Sequence, residues 1–425
     1  MAAQTIAGGT GSGAVVTRHL VVGDVSHQYS VTPDPVAPLL VAELTTEPGG
    51  ATRAMEFLRR PETASSTVSV IGAAGQAGTV TLGRVPVELW ASFGVTPEFE
   101  AQLRGALEAA GSQELSGVDL SALAPLMLLR THRGAERPFT EVLMCGRVRS
   151  LGTLFVRVAR FAHAAESGIA ELVSGALELS ASLQDNVRIE GNAYTSYEKG
   201  IEIEQKVNVY DEVSIWSLTQ SLWSAVENGE FNGFITDPGY ELTRWHFIQH
   251  NFEVTAPASE VGHIAFQETP SGTYQLKLKR FAEDALRREE IVYKGIDIPG
   301  ADFSGYLRRE YPDIEFRRLP SLTRTRFDIN VQSVITGNYF GIETDEVLVL
   351  DPRGPKLRQV EMEYLETRWH EGMDPSTIDD DMNRLTELVE EHLAKRGIAA
   401  ERTFYSKLSF LKDCVRRSDQ DVLGV

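Results

Sequence analysis

The 425-residue sequence predicts an α+β fold in two parts: a mixed α/β region, then a strand-rich region with flanking helices. Three observations predict it. Strand and helix patterns are interleaved from about His19 to Asn186. The composition then changes at "DNVRIEGNAYTSYEKG", which reads as a boundary. Beyond it, several short segments alternate charged and apolar residues with the period of two that belongs to β-strands.

Residues 1–18, rich in Gly, Ala and Thr, read as a flexible tail. Its "GGTGSG" has no preceding strand and no following Lys-Ser/Thr, so it reads as linker and not as a phosphate loop. Residues 19–190 form an α/β domain of unknown type. Its strand patterns are "PLLVAEL", "STVSVIGA", "GTVTLGRVPVEL" and "TEVLMCGRVRS". Its helical patterns are "TPEFEAQLRGALEAAG" and "LFVRVARFAHAAESGIAELVSGALELSASL". A helix follows the boundary at "DEVSIWSLTQSLWSAVENG", with Asp211 as N-cap, Ile215, Leu218, Leu222 and Val226 as its stripe, and Asn228-Gly229 as its stop. A long series of strands leads to a second helix around Ile378–Lys395 and a short "TFYSKLSFL".

The alternation carries the chemistry. In "IEIEQKV", Glu202, Glu204 and Lys206 share one strand face, opposite Ile201, Ile203, Gln205 and Val207. In "YQLKLKR", Lys277 and Lys279 share a face; in "LTRTRFDI", Arg324, Arg326 and Asp328 do. Glu361 and Glu363 alternate with Val360, Met362 and Tyr364, and Arg288 and Glu290 alternate less cleanly. If these faces look outward, they are an ordinary solvated sheet surface that resists edge pairing. If they look inward, the sheet must close into a barrel whose charged lumen needs a guest, because unpaired buried charge is costly.

Composition narrows the classes. The chain is long enough for two or three domains, and its 24% charged and 42% hydrophobic fractions are those of a soluble globular protein. The net charge of −19 argues against a broad nucleic-acid surface, although a local anion site remains compatible with it. No apolar run suffices to span a bilayer, no signal-peptide pattern opens the sequence, and two distant cysteines, Cys145 and Cys414, fit a reducing cytoplasmic setting.

Glu202-x-Glu204-x-Lys206 matches the ExExK signature of the CYTH superfamily, the triphosphate tunnel metalloenzymes. The succession after it resembles the family too: helix, Lys-x-Lys, Arg-x-Glu, Arg-x-Arg, "DEVLVLD", Glu-x-Glu-Tyr, helix, then Ser406-Lys407. The resemblance covers roughly residues 195–415 and leaves the first 190 uncovered. It implies an eight-stranded antiparallel tunnel that binds a triphosphate and hydrolyses or transfers it with Mg²⁺ or Mn²⁺. It also implies Glu202 and Glu204 as metal ligands, with one or both of Glu361 and Glu363. Lys206, Lys277, Lys279, Arg288, Arg324 and Arg326 would grip phosphate oxygens, and Lys407 would close the site. Glu363 or Glu361 would position water, Lys206 would stabilise transition-state charge, and Asp351 would be the acid ending "VLVLD".

The substrate expected from the resemblance is inorganic tripolyphosphate, thiamine triphosphate or a nucleoside triphosphate. A nucleotidyl cyclase or transferase using the same tunnel is an alternative, although "NAYTSYEKG" lacks the His-Phe pair that bacterial-type cyclases carry before ExExK. A non-catalytic sensor of a phosphorylated ligand is another. Expected partners are thus a triphosphate, no membrane and no broad nucleic-acid surface, with a homodimer compatible. The inserted "DPGYELTRWHFIQHNFEV" departs from the family's short spacing. Its His246 and His250 lie in strand context, without HExxH, and read as structural. Asp379, Asp380 and Asp381 suit a helix start. Trp216, Trp223 and Trp245 read as packing residues.

Overall fold

The computed structural model describes residues 15–23, 39–44, 47–48, 53–59, 67–72, 75–81, 101–105, 108, 124–149, 152–182, 194–236, 243–350 and 354–423. "GGTGSG", most of "TPEFEAQLRGALEAAG" and Asp351 lie outside them, whereas Val15–Arg18, the end of the expected flexible tail, are β-strand. Among the described residues, no helix is long and apolar enough to cross a membrane.

The chain divides into two compact units. The first runs to Thr195 and includes the short segments Val334–Gly337 and Arg368–Met373. Its strands are β1 (Val15–Gly23), β2 (Leu39–Glu43), β3 (Glu47–Pro48), β4 (Met55–Arg59), β5 (Thr67–Gly72), β6 (Gly75–Thr81), β7 (Ala124–His132), β8 (Phe139–Arg149), β9 (Gly152–Ala162) and the two-residue β10 (Tyr194–Thr195). The first nine form an antiparallel sheet ordered β4-β9-β8-β7-β1-β2-β5-β6, with β3 on β1. Helix α1 (Ile169–Ser182) packs Leu172, Val173 and Ala176 against Val21, Val41, Leu129, Val142 and Val158.

The helical reading of Leu154–Leu183 is therefore half wrong: "LFVRVARFA" is strand β9. That strand is buried on both faces for most of its length, so it shows no alternation. Periodicity alone cannot separate such a run from a buried helix.

The other face of this sheet holds Leu20, Val22, Leu128, Leu143 and Phe155, and beside them a buried ion network. Arg18 donates to Glu56 at 2.7 Å, while Glu141 faces Arg130 at 3.0 Å, Arg157 at 3.0 Å and His132 at 2.9 Å. Burial pushes the Glu141 carboxyl up. The His132 hydrogen bond and the charges of Arg130 and Arg157 outweigh it and hold the group at about 2. Burial, with help from Arg133, pushes the His19 imidazole down to about 4.

Both shifts destabilise the fold in acid. Glu141 stabilises fully above its unfolded value and loses that contribution as pH falls toward about 2. His19 opposes folding once pH drops below its ordinary range toward about 4. Hydrogen exchange at amides of the first unit's sheet should thus show its stability falling on acidification from pH 7 to 4. At pH 7, Glu141→Gln should destabilise by about 3–5 kcal/mol, the cost of orphaning buried charges; denaturant titration checks it, and a loss below 1 kcal/mol would refute it.

The second unit comprises Ser196–Ser333, Asn338–Thr367 and Asp374–Val425. Its strands are β11 (Ile201–Val209), β12 (Phe234–Thr236), β13 (Thr243–Ala256), β14 (Gly262–Glu268), β15 (Tyr274–Arg280), β16 (Arg287–Ile296), β17 (Glu315–Ser333), β18 (Asn338–Val349), β19 (Lys356–Arg368) and β20 (Ala400–Thr403). Neighbours pair in the order β19-β18-β17-β13-β14-β15-β16-β11, all antiparallel, and β11 pairs back onto β19. The ring is a closed eight-stranded barrel. "TRWHFIQHNFEV", the part of the apparent insertion that is described, lies in β13, a full barrel stave.

Apolar side chains face outward, toward helices. Ile203, Val207, Ile329, Ile342, Val360 and Met362 pack under α2 (Ile215–Glu227) and α4 (Thr377–Lys395). Phe252, Ile264, Phe266, Leu276 and Leu278 pack under α3 (Phe303–Glu310). Gln205, the polar member of the outer β11 row, donates its amide to the Thr403 carbonyl at 3.0 Å.

Helix α2 begins one turn later than the sequence suggests. Ser214 is the N-cap, accepting from the Ser217 N–H, whereas the Asp211 carboxylate accepts from the Ala399 N–H at 2.6 Å. The helix ends as expected. Gly229, at φ +78°, occupies the left-handed position, and Gly229 and Glu230 return hydrogen bonds to Val226 and Ala225.

Candidate active site

With apolar residues outside, the alternating charges have no place but the lumen. A narrow cavity inside the barrel is lined by all of the residues expected to hold metal or phosphate: Glu202, Glu204, Lys206, Lys277, Lys279, Arg288, Arg324, Arg326, Glu361, Glu363 and Lys407. Register explains the convergence. Glu202 lies across from Arg288, Glu204 from Glu363, Lys206 from Glu361 and Arg326 from Asp345. Each pair projects to one side of the sheet.

On one wall, Lys279 donates to both Glu202 oxygens at 2.6 and 2.7 Å, and Arg288 lies 3.2 Å from Glu202. Glu204 contacts Arg288 and Lys206 directly. Lys277 and Lys279 reach Glu290 at 3.1 and 3.6 Å. Gly262 keeps β14 close to this wall, since a Cβ there would sit 2.0 Å from the Lys279 carbonyl oxygen. On the other wall, Glu361 accepts from Lys407 at 2.5 Å, Arg326 at 2.6 Å and Arg324 at 3.0 Å. Asp345 is shared by Arg324 at 2.5 Å, Arg326 at 2.8 Å and Lys407 at 2.9 Å. Arg326 also contacts Glu343.

Lys407 opens α5 (Lys407–Leu423), whose cap Ser406 accepts from the Ser409 N–H at 3.1 Å. Asp284 anchors that turn through Ser406 N–H and the Ser409 hydroxyl. The short "TFYSKLSFL" of the sequence is thus the start of a helix. Leu408, Phe410, Leu411 and Cys414 of α5 pack with Leu322, Val347 and Leu357, where the inner rows turn apolar, and stopper that end of the barrel.

Charge is not evenly matched. Glu343 lies directly across from Glu361, and Glu204 from Glu363, although like charges at about 4 Å repel by on the order of 4 kcal/mol at an effective dielectric near 20. Oxygens of Glu204, Glu343 and Glu361 all lie within 4.8 Å of one another, and the three residues are buried. Burial, then Glu202 and Glu204, push the Glu363 carboxyl up to about 7. Burial raises Glu343 well above the carboxylate range, against Arg326 and with Glu363, Asp328 and Glu361 adding to the rise. Glu202 and Glu361 are held far below that range: burial opposes this, but Lys279 and Arg288, and Lys206 and Lys407, prevail. Three buried carboxylates whose oxygens converge form an oxygen-only donor set of the kind that suits Mg²⁺ or Mn²⁺, so the residues fit such a cation.

Sequence reasoning missed several lumen residues. Glu343 and Asp345 alternate like the other rows, but the segment was parsed as "DEVLVLD" with its acid at Asp351. Gln249, His263 and Gln267 line the cavity, and Asn251 joins them. His263 donates to Asn251 at 3.0 Å, and Gln275, Gln267, Gln249 and Asn251 are linked in turn by amide hydrogen bonds of 3.1, 3.1 and 2.6 Å. Burial and the charges of Lys279 and Arg288 push His263 down to about 3, so this wall is neutral. Neutral side chains leave no charge signal in a sequence. His250 is structural, stacked on Phe303 and bonded to Glu268 and Ser321, and His246 bonds Thr325.

A closed eight-stranded barrel, its acidic and basic rows inside in the ExExK order, settles the fold. The second unit has a CYTH-like tunnel fold. No family model matches the sequence, and no curated protein does. Among solved structures, the chain is similar to the Hippeastrum protein HpAC1, named for adenylyl cyclase and described as having a dominant triphosphatase activity. That match has 17% identity and a TM-score of 0.29, covering 50% of this chain and 95% of that one. The S. pombe RNA triphosphatase Pct1 matches at 13% identity and a TM-score of 0.24, covering 46% and 86%. The same protein in complex with the Spt5 CTD matches at 11% and 0.22, covering 46% and 81%.

The CYTH-like tunnel depends on Arg326 to separate Asp328, Glu343, Asp345 and Glu361. Asp328 is already pushed up to about 6 by burial. Acids whose folded values are raised lose stability as pH rises through those values. Arg326→Met should therefore destabilise more at pH 8 than at pH 5, by roughly 3–5 kcal/mol at the higher pH with a chelator present. Equal losses at both pH values, read by denaturant titration, would contradict the charge-separating role.

Proposed function

We propose that the protein hydrolyses a triphosphate with the help of a divalent cation, Mg²⁺ or Mn²⁺, bound in the barrel. One observation carries this reading: a closed lumen holds a carboxylate cluster, Glu204, Glu343 and Glu361, facing a ring of lysines and arginines. A triphosphate is the guest that complements both halves. Its oxygens suit the cations, and the cation that accompanies it suits the carboxylates.

In this reading Glu204, Glu343 and Glu361 hold the metal, with Glu363 beside them. Glu202, tied to Lys279 and Arg288, orients those two cations. Lys206, Lys277, Lys279, Arg288, Arg324, Arg326 and Lys407 take the phosphate oxygens. When bound, the divalent cation withdraws charge from phosphate oxygens and acidifies water. Lys206 and the arginines stabilise the charge that develops on the transferred phosphoryl group. Glu363 or Glu361 orients the attacking water. The barrel wall and α5 exclude other water from that end.

Binding is an exchange. Lumen cations now held by carboxylates turn to phosphate, and the freed carboxylates need the metal. Triphosphate and metal should hence bind cooperatively, each strengthening the other by the same factor. Chelation should weaken tripolyphosphate binding, measured by calorimetry, by on the order of tenfold or more. Phosphate release should be assayed with tripolyphosphate, thiamine triphosphate and nucleoside triphosphates. At least one should be turned over with Mg²⁺ or Mn²⁺, and Glu204→Gln should slow it by roughly a hundredfold or more. No release from any of them, or full activity in Glu204→Gln, would sink the proposal.

A further inference from the structure

Trp245 does not pack as a core residue. It is 51% exposed, and it stands directly across β13–β17 from Arg326, which lines the cavity. Paired residues on antiparallel strands share a face, so the indole lies over the inner face of the barrel. Its Nε1–H donates to Asp328 Oδ2 at 2.6 Å, which fixes the ring by its edge.

The position along the barrel follows from β17. Its inner row runs Leu322, Arg324, Arg326, Asp328, from the end stoppered by α5 toward the other. Asp328 lies about 13 Å along the strand from Arg324, at roughly 3.3 Å per residue. β17 runs on beyond Asp328, but β13 starts at Thr243, paired with Asp328, so Trp245 stands two residues from the edge of its stave, at the mouth that α5 does not close. A tethered, half-exposed indole beside the last lumen arginine presents a flat π-face where the non-phosphate end of an entering triphosphate would lie.

We propose that Trp245 is a stacking platform for a planar heteroaromatic ring carried by the substrate. The substrate class is then an organic triphosphate, a nucleotide above all, and not inorganic tripolyphosphate. This inference rests on the triphosphate reading given above. Aromatic stacking tolerates different bases, so the platform selects for a ring and not for one base. Thiamine triphosphate shares that chemistry, and the ligands of the test separate the sources.

The test is the ratio of affinities for ATP and tripolyphosphate, measured by calorimetry on the full chain with Ca²⁺ in place of Mg²⁺. The wild type should prefer ATP. Trp245→Ala should reduce that preference by about tenfold or more, the range expected for one lost stack, and Trp245→Phe should keep most of it. UTP and thiamine triphosphate, run alongside, show which ring is held best. A preference unchanged by Trp245→Ala, or absent from the wild type, would overturn the platform while leaving the triphosphate site standing. Failure of the wild type to bind any of the four anions would overturn the triphosphate reading itself, and the platform with it.

Discussion

The second unit depends on neutralising charge that its strands turn inward. An isolated carboxylate or ammonium moved to a dry interior costs several kcal/mol even after relaxation, and the barrel turns inward many of both. The structure meets this by register: Glu202 opposite Arg288, Lys206 opposite Glu361, Arg326 opposite Asp345. Shift one strand by a residue and its charges would meet the outer apolar layer while its valines and isoleucines lined the lumen. Pairing register and charge pattern thus enforce each other.

The same constraint explains where the helices lie. A small barrel usually fills itself with apolar side chains and shows a polar exterior. Here the interior is taken by charge, so the hydrophobic contribution must come from outside. Helices α2 and α4 bury Ile203, Val207, Val360 and Met362, and α3 buries Phe266, Leu276 and Leu278. Fully burying each such side chain contributes about 1.5–3 kcal/mol, which is what offsets the desolvation of the lumen. Stability and chemistry are kept on opposite faces of one sheet.

How much of this was legible follows from the same physics. The rows of β11, β15, β17 and β19 could be read because charge at period two is conspicuous and each row follows the family order. Their meeting place could not be read, since alternation alone leaves inward and outward faces equivalent. Glu343 and Asp345 are harder to see because the family-like "DEVLVLD" begins at Asp345 and cuts their row in two. Gln249, His263 and Gln267 escaped because neutral polar residues look the same on either face. In the first unit, β9 reads as helix because both its faces are buried and the strand period vanishes. Trp245 reads as a packing residue because a sequence shows that an indole is large and apolar, not that it is uncovered.

The two units hold buried charge in different ways, and the carboxyl shifts show how. Glu141, with Arg130, Arg157 and His132 around it, is held down at about 2. Its surroundings already supply the positive charge it needs, so the network is complete and serves the fold. Glu363 and Glu343 are pushed up by burial, and neighbouring carboxylates add to the rise. No packing advantage explains placing Glu343 across from Glu361, or Glu204 across from Glu363, when an apolar residue at either position would remove the repulsion. Such a deficit persists where something outside the chain completes it. In the lumen, by contrast, cations hold Glu202 and Glu361 down while Glu343 and Glu363 beside them are pushed up, and it is this uneven row that a cation and its anionic companion would complete.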